Sequence, residues 1–377
     1  MTTSSAIRAV DVPETESLAF KFSVEAFKLM SGGVHLSGAN EFSSETNNWL
    51  GVDYASYNDQ LFAVHQQMAA GVNRVVWHGF ETAYSSEAVL DWPANSGGIG
   101  TQFGAMAIPT SVLEADFQEH ITRLQTVLKT GTETVDIGIM QNDLFIIALS
   151  DDGDSKGLLT SDHTLQNAGY TWECFDSSYL WAEDGVYGFQ NEDGTLGYPQ
   201  YKAIVVWDED LSLAAAEALL KLVEGGMYVI FNTDEAATTT GSAIEADEDL
   251  AAIVEQIKAD TEHVATAADT TEFADILDGF GVTPRMALEN AVSDENNLAI
   301  YEERAGVGEP YESYDGIWTA MMRDEDANYY FVFNESVDYT ISTTASFEGL
   351  FVPYELNTWT GEVKTVAEFS YADGRTE

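Results

Sequence analysis

Two glutamates and one histidine follow predicted strands. In enzymes built on parallel sheets, catalytic residues lie at such positions. Glu41 and Glu45 occupy a polar loop after a predicted short strand, residues 34–36. His78 follows the predicted strand of residues 73–77. In a (β/α)-barrel the reacting groups lie on loops after the carboxyl ends of the strands. Glycoside hydrolysis needs two carboxyl groups, one as acid and one as base or nucleophile, and a histidine can donate a hydrogen bond to a sugar hydroxyl.

Each of these residues also has a structural interpretation. The chain contains 64 Asp and Glu residues, so two glutamates in a loop are also expected from composition alone. His78 could equally be a hydrogen-bonded structural imidazole. Four aromatic residues flank the predicted barrel mouth and could stack on sugar faces or pack in the core: Trp49, Trp77, Tyr84 and Trp92.

The charge of the chain excludes some partners. With 15 Lys and Arg residues against 64 acidic ones, the formal net charge is −49. Binding to nucleic acid depends on Lys and Arg contacts to phosphates, which this composition does not supply. An anionic membrane surface is disfavoured for the same reason. A neutral substrate such as a sugar is compatible with an acidic surface.

Other reactive motifs are weak. Cys174 is the only cysteine, which rules out an intrachain disulfide, and it lacks a nucleophile-elbow context, so we interpret it as a buried strand residue. The six histidines form no HExxH motif. The acidic run at residues 151–154 is not a full EF-hand loop and indicates a plain turn. Residues 1–13 lack the apolar core of a signal peptide, and no stretch approaches a membrane span.

The pattern of helices and strands predicts an α/β multi-domain chain with three parts. Residues 1–132 alternate helix and strand, as in the last strands of a (β/α) catalytic barrel. Its first predicted helix begins at Pro13 and ends at Gly32. Residues 133–293 repeat this alternation and predict a doubly wound, amidotransferase-like α/β domain. Residues 294–377 contain short strands and turns, which predict a β-sandwich-like region. We expect the chain to be incomplete at both ends.

Several stretches resemble the α-L-rhamnosidases of glycoside hydrolase family 106. The resemblance extends over nearly the whole chain and is most specific in two motifs, Ser-Ser-Glu at residues 43–45 and Gly-Val-Asn-Arg-Val-Val-Trp-His-Gly at residues 71–79. General patterns extend it to the helix around residues 123–125, the strand at residues 201–206, and residues 330–334 and 359–362.

The resemblance implies an exo-acting hydrolase that releases terminal α-L-rhamnose with inversion, using two carboxylates and an associated calcium ion. On the matching positions, Glu45 would be a catalytic carboxylate and His78 a substrate-binding group. Asn40, Glu41 and Trp77 are further candidates for the sugar pocket. The full-length protein would then act outside a bacterial cell or on its surface.

The sequence also leaves alternatives open. Most of the family's barrel lies upstream of the matching region, so we expect the partner carboxylate outside these residues and the 377-residue chain alone to be inactive. A β-galactosidase-like barrel glycosidase shares the same order of parts. A non-catalytic carbohydrate-binding protein is a further alternative, because barrels host many functions.

Overall fold

A computed structural model describes residues 6–7, 9–16, 24–46, 57–77, 113–141, 163–180, 201–207, 211–232, 248–289, 299–301, 311–313, 316–336 and 340–377. These residues form helices, parallel sheets and antiparallel sheets. The mixed α/β architecture expected from the sequence is therefore present.

The first sheet has three parallel strands in the order β1, β2, β3. The strands are β1 (Glu14–Glu16), β2 (Ser43–Thr46) and β3 (Arg74–Trp77). The helices of this part of the chain are α1 (Val24–Leu36), α2 (Tyr57–Ala69) and α3 (Glu114–Leu128). Neighbouring parallel strands need long crossover connections, and here helices α1 and α2 lie in those connections.

The two faces of this sheet have different surroundings. On one face, the Thr46 hydroxyl donates a hydrogen bond to Gln67 Oε1 of α2 (3.0 Å), and Trp77 Nε1 donates to Gln118 Oε1 of α3 (3.3 Å). Side chains alternate between the faces along a strand, so Glu45, next to Thr46, points away from these helices. We call the face that carries Glu45 the inner face.

The second sheet has five parallel strands in the order β6, β5, β7, β8, β9. The strands are β5 (Ile137–Met140), β6 (Trp172–Phe175), β7 (Ala203–Val206), β8 (Tyr228–Phe231) and β9 (Val264–Thr266). The helices near them are α4 (Thr164–Asn167), α5 (Leu213–Glu224), α6 (Glu248–Lys258) and α7 (Phe273–Gly279). This strand order is that of flavodoxin-like doubly wound sheets. Almost every residue of the strands is buried, as expected for a covered parallel sheet.

Local signals in the sequence explain helix α5. Ser212 caps its first turn, because its hydroxyl oxygen accepts a hydrogen bond from the Ala215 amide (3.2 Å). Leu219 and Leu222 lie on its buried face. Gly226, with φ of 91°, adopts the left-handed conformation that commonly follows a helix. The sequence predicts an amphipathic helix at residues 211–223 that ends at Gly225 and Gly226, and the structure confirms it.

The structure corrects the interpretation of residues 13–46. The helix predicted from Pro13 is strand β1 at residues 14–16, and the polar loop that carries Glu45 is strand β2. The strand predicted at residues 34–36 is the last turn of α1. Gly32 does not end a helix. It lies inside α1 where the helix crosses β6, and a Cβ there would lie 2.2 Å from the Cys174 carbonyl oxygen. Contact between the two backbones therefore requires this glycine.

Antiparallel strands join the two parallel sheets to the C-terminal region. One sheet contains β4 (Thr132–Glu133), β13 (Ile317–Arg323) and β14 (Asn328–Asn334). Another contains β10 (Met286–Leu288), β15 (Ala345–Glu348), β18 (Tyr371–Ala372) and β19 (Arg375–Thr376). Two hairpins are β11 (Ala299–Tyr301) with β12 (Tyr311–Ser313), and β16 (Tyr354–Leu356) with β17 (Val363–Thr365). Strand β4 includes residues on both sides of the predicted boundary between the first and second domains, at residue 132. Strand β10, in the predicted second domain, pairs with β15 in the predicted C-terminal region. The domain limits remain a prediction.

We predict that Gly32→Ala destabilises the protein by about 1–3 kcal/mol or more, because the added methyl group forces α1 away from β6. Gly279→Ala is the matched control, since Gly279 also lies in a helix and a Cβ there meets no atom within 4 Å. It should be neutral or slightly stabilising. Urea unfolding of both variants tests this, and equal effects would contradict the close crossing of α1 and β6.

Candidate active site

Glu16 and Glu45 lie side by side on the first sheet. Strand β1 pairs with β2 in parallel register, with Glu14 opposite Ser43 and Glu16 opposite Glu45. The Ser43 hydroxyl donates a hydrogen bond to Glu14 Oε2 (2.7 Å). Neighbouring strands are about 4.8 Å apart, and residues opposite each other share a face. The inner face therefore carries a pair of carboxylates, Glu16 and Glu45.

Both carboxylates stand at or next to the carboxyl ends of their strands. Glu16 is the last residue of β1, and Glu45 is the third of four residues in β2. Both side chains are partly buried. This is the end of a parallel sheet where barrel enzymes carry their reacting groups. Glu45 is a candidate from its sequence motif, whereas Glu16 becomes a candidate only from the structure.

A signal for Glu16 was present in the sequence. Thr15, between Glu14 and Glu16, is a β-branched residue of the kind enriched in strands, and successive side chains of a strand point to opposite faces. Pro13 was interpreted as the first residue of a helix, yet proline is also common immediately before a strand. The alternative interpretation of Pro13 would have placed Glu16 on the same face as Glu14.

Asn40 and Glu41 lie before β2, at the amino end of the sheet, and so not at the carboxyl end near Glu45. The Glu41 carboxylate accepts hydrogen bonds from Lys129 Nζ (2.7 Å) and Arg74 Nη1 (2.9 Å). The hydrogen bond from Lys129, with that from Arg74, holds the pKa of Glu41 below its usual value. The Asn40 carbonyl accepts a hydrogen bond from Asn73 Nδ2 (3.0 Å). Both residues therefore lie at the opposite end of β2 from its carboxyl end, and their part in a sugar pocket stays a prediction.

Of the two candidates at the end of β3, the structure describes Trp77 but not His78. Trp77 ends β3, but its indole faces α3, where it contacts Phe117 (ring centroids 5.6 Å apart) and donates to Gln118. The place of Trp77 in the strand puts it on the helix-covered face, and a sugar-stacking role for it stays a prediction. His78 lies outside the described residues, as do the other aromatic residues of the predicted barrel mouth, Trp49, Tyr84 and Trp92.

A buried charged cluster joins the two parallel sheets. His35 of α1 contacts Glu173 Oε2 of β6 through Nδ1 (2.5 Å) and Glu133 Oε2 of β4 through Nε2 (2.9 Å). The Tyr201 hydroxyl donates to Glu173 Oε1 (2.6 Å). Lys28 Nζ, also from α1, donates to a main-chain carbonyl of β6 (3.1 Å). All five side chains are at least nine-tenths buried. We call these residues the His35 cluster.

The His35 cluster shifts the pKa values of its members. Burial alone would lower the pKa of His35, but the carboxylates of Glu173 and Glu133 outweigh it and raise this pKa to about 10. Burial would raise the pKa of Glu173, yet the imidazolium of His35 lowers it. Burial lowers the pKa of Lys28, against the attraction of the same carboxylates. At neutral pH the cluster therefore contains an imidazolium between two carboxylates.

A cavity of about 220 Å³ lies beside this cluster. Its walls include His35 and Glu133, together with Asn40, Phe42 and Met322. Neither Glu16 nor Glu45 lines it. The cavity therefore belongs to the amino end of the first sheet and is separate from the carboxylate pair.

Two further predictions from the sequence concern Cys174 and a calcium ion. Cys174 is a fully buried residue of β6, which confirms its structural interpretation. Within the described residues, no group of three or more His, Cys, Asp or Glu side chains is arranged to hold a metal ion. The acidic run at residues 151–154 lies outside the described residues, and the expected calcium ion stays a prediction. No helix in the described part of the chain is long and apolar enough to cross a membrane.

The chain is similar to the solved structure of a rhamnosidase from Novosphingobium sp. PP1Y. The TM-score is 0.71 at 16% sequence identity. The match covers 100% of this chain and 34% of the rhamnosidase chain, so this chain spans about a third of that protein. No protein-family profile matches the sequence, and no curated protein does. At this level of identity the likeness shows a shared fold, that of part of a rhamnosidase.

We predict that stability decreases as pH rises from about 6.5 towards 10, because His35 is held protonated only in the folded state. Its contribution is fully present below the pKa of an unfolded histidine and is lost as pH rises through the folded pKa. His35→Gln leaves two buried carboxylates without their cation and should cost about 3–5 kcal/mol at pH 6.

The matched control is His263→Gln, at a partly exposed histidine paired with Asp260. Chemical unfolding across this pH range should show a smaller decrease in His35→Gln than in the parent protein or the control. An unchanged pH profile in His35→Gln would contradict the role of the imidazolium.

Proposed function

We propose that this chain is part of a glycoside hydrolase that releases terminal α-L-rhamnose with inversion, and that Glu45 is one of its catalytic carboxylates. The observation that supports this most directly is the position of Glu45 on the inner face, next to the carboxyl end of a strand with parallel neighbours on both sides. The fold shared with a rhamnosidase agrees with it. The net charge of −49 suits a neutral sugar better than an anionic partner.

In this proposal Glu45 removes a proton from the attacking water or supplies one to the departing oxygen. An inverting pair of carboxyl groups is roughly 6.5–9.5 Å apart, which leaves room for the water. Adjacent strands separated by about 4.8 Å are closer than this. The partner of Glu45 in an inverting reaction would therefore come from a strand other than β1. His78, which follows β3, is proposed to bind a sugar hydroxyl.

The spacing of Glu16 and Glu45 favours a second candidate. A retaining glycosidase holds its two carboxyl groups about 5–5.5 Å apart, one as nucleophile and the other as acid and then base. Adjacent strands suit this distance, so a retaining barrel glycosidase of the β-galactosidase-like kind is the alternative. The anomer formed first from an aryl glycoside, observed by proton NMR, separates the two mechanisms.

No step is assigned to calcium in either mechanism, and its association with the protein stays a prediction. No role in catalysis is assigned to Asn40, Glu41 or Trp77, because of their positions in the sheet. A (β/α)-barrel has eight strands, and the described residues contain three parallel strands of this sheet. We therefore propose that residues 1–377 alone do not hydrolyse rhamnosides.

We predict that Glu45→Gln in the complete protein lowers the hydrolysis of an aryl α-L-rhamnoside by about 10²–10⁴-fold or more, because an amide cannot transfer the proton. Glu41→Gln is the matched control, since Glu41 forms exposed ion pairs at the opposite end of β2. Its rate should stay within a few-fold of the parent. Full activity in Glu45→Gln would reject this role, whereas absence of hydrolysis by the complete parent protein would favour a non-catalytic, carbohydrate-binding protein.

A further inference from the structure

Trp359 presents an indole ring to solvent from the turn of the β16–β17 hairpin. The residue is 50% exposed. Its ring stacks on the imidazole of His120 in α3, with centroids 4.0 Å apart and planes inclined by 12°. His120 itself is buried, so one face of the indole is covered by the helix. The exposed area of Trp359 therefore belongs mainly to the opposite face of the ring.

Several hydrogen bonds fix the turn that carries this ring. Arg123 of α3 donates from Nη1 to the carbonyl oxygens of Thr358 (2.9 Å) and Trp359 (2.8 Å). Within the turn, Asn357 Oδ1 accepts hydrogen bonds from the amides of Trp359 (3.0 Å) and Thr360 (3.1 Å). The main chain on both sides of the indole is therefore held in place before any ligand binds.

The support beneath the indole is neutral. His120 Nε2 lies 3.0 Å from His65 Nε2, so one of the two nitrogens donates and the other accepts. Burial, with the positive charge of Arg123, lowers the pKa of His120 to about 4. Burial, with the neighbouring His120, lowers the pKa of His65 to about 4. At neutral pH Trp359 therefore stacks on an uncharged ring.

Trp359 differs from the other tryptophans of the described residues. Trp172 and Trp318 are buried, and Trp77 and Trp207 are partly buried and packed against other aromatic rings. Exposing half of an indole forgoes the stabilisation that its burial would give. The contacts of Trp359 are therefore arranged to hold an exposed ring rigidly, although the described fold places nothing on its outer face.

We propose that the outer face of Trp359 is a carbohydrate-binding platform that stacks on the C–H face of a pyranose ring. The proposal rests on the proposed glycoside hydrolase function and adds a second sugar contact outside the carboxylate pair. An indole offers a large, flat apolar surface, and the C–H face of a sugar is its complement. Because the ring is already fixed, binding loses little side-chain entropy. A neutral sugar also avoids repulsion from the acidic surface.

The test uses residues 1–377 labelled with 5-fluorotryptophan, in which the Trp359 signal is assigned from Trp359→Phe. We expect methyl α-L-rhamnopyranoside, or a rhamnose-rich polysaccharide, to shift the Trp359 fluorine resonance in a saturable way. In affinity electrophoresis through the same polysaccharide, Trp359→Ala should weaken binding about tenfold or more, as when a central aromatic anchor is truncated. Trp359→Phe, which keeps a smaller ring on His120, should be intermediate.

Tyr371→Ala is the matched control, because Tyr371 is an equally exposed aromatic residue whose ring meets Phe369 edge-on and has no ring stacked parallel to it. This variant should bind like the parent. The fluorine resonance of Trp359 reports binding at the indole itself, so failure of the catalytic proposal leaves this result unaffected. The platform is rejected if neither probe perturbs the Trp359 resonance, or if Trp359→Ala retains full binding. Loss of binding in Tyr371→Ala to the same extent would likewise reject a specific role for Trp359.

Discussion

The interaction on which the rest of the structure depends is the contact of His35 with two buried carboxylates. His35 comes from α1, Glu173 from the five-stranded sheet and Glu133 from β4. A buried charge without a partner is costly, so three segments distant in sequence must meet to satisfy one another. Gly32, one turn earlier in α1, allows the helix backbone to reach the backbone of β6. The charges and the glycine together fix α1 against the second sheet.

Fixing α1 also constrains the candidate active site. This helix lies between β1 and β2 in the chain, and these strands place Glu16 opposite Glu45. The hydrogen bonds of Thr46 and Trp77 to α2 and α3 then decide which face of the sheet is covered by helices. The carboxylates are left on the inner face because side chains alternate along the strands. A structural cluster at the amino end thus helps to position the chemistry at the carboxyl end.

The sequence predicted the elements whose patterns are local and missed those that depend on tertiary contact. Cys174 was correctly interpreted as a buried strand residue, and α5 followed from its amphipathic pattern and the two glycines after it. Gly32 was misinterpreted as a helix stop, since its role depends on a carbonyl group about 140 residues later in the chain. The role of His35 could not be predicted for the same reason. Its two partners lie in other strands, far away in the sequence, and no motif around His35 indicates them. Glu45 was identified from its motif, but its neighbour Glu16 became visible only through the register of two strands.

The central claim is that the carboxyl ends of β1 and β2 form a sugar-binding surface around Glu45. A crystal structure of the complete protein with L-rhamnose tests it most directly. The account predicts a sugar over these strand ends, with a carboxylate oxygen of Glu45 within about 2.6–3.2 Å of the anomeric hydroxyl or of a water beside it. A rhamnose bound with high occupancy elsewhere, with Glu45 directed away from it, would contradict the account.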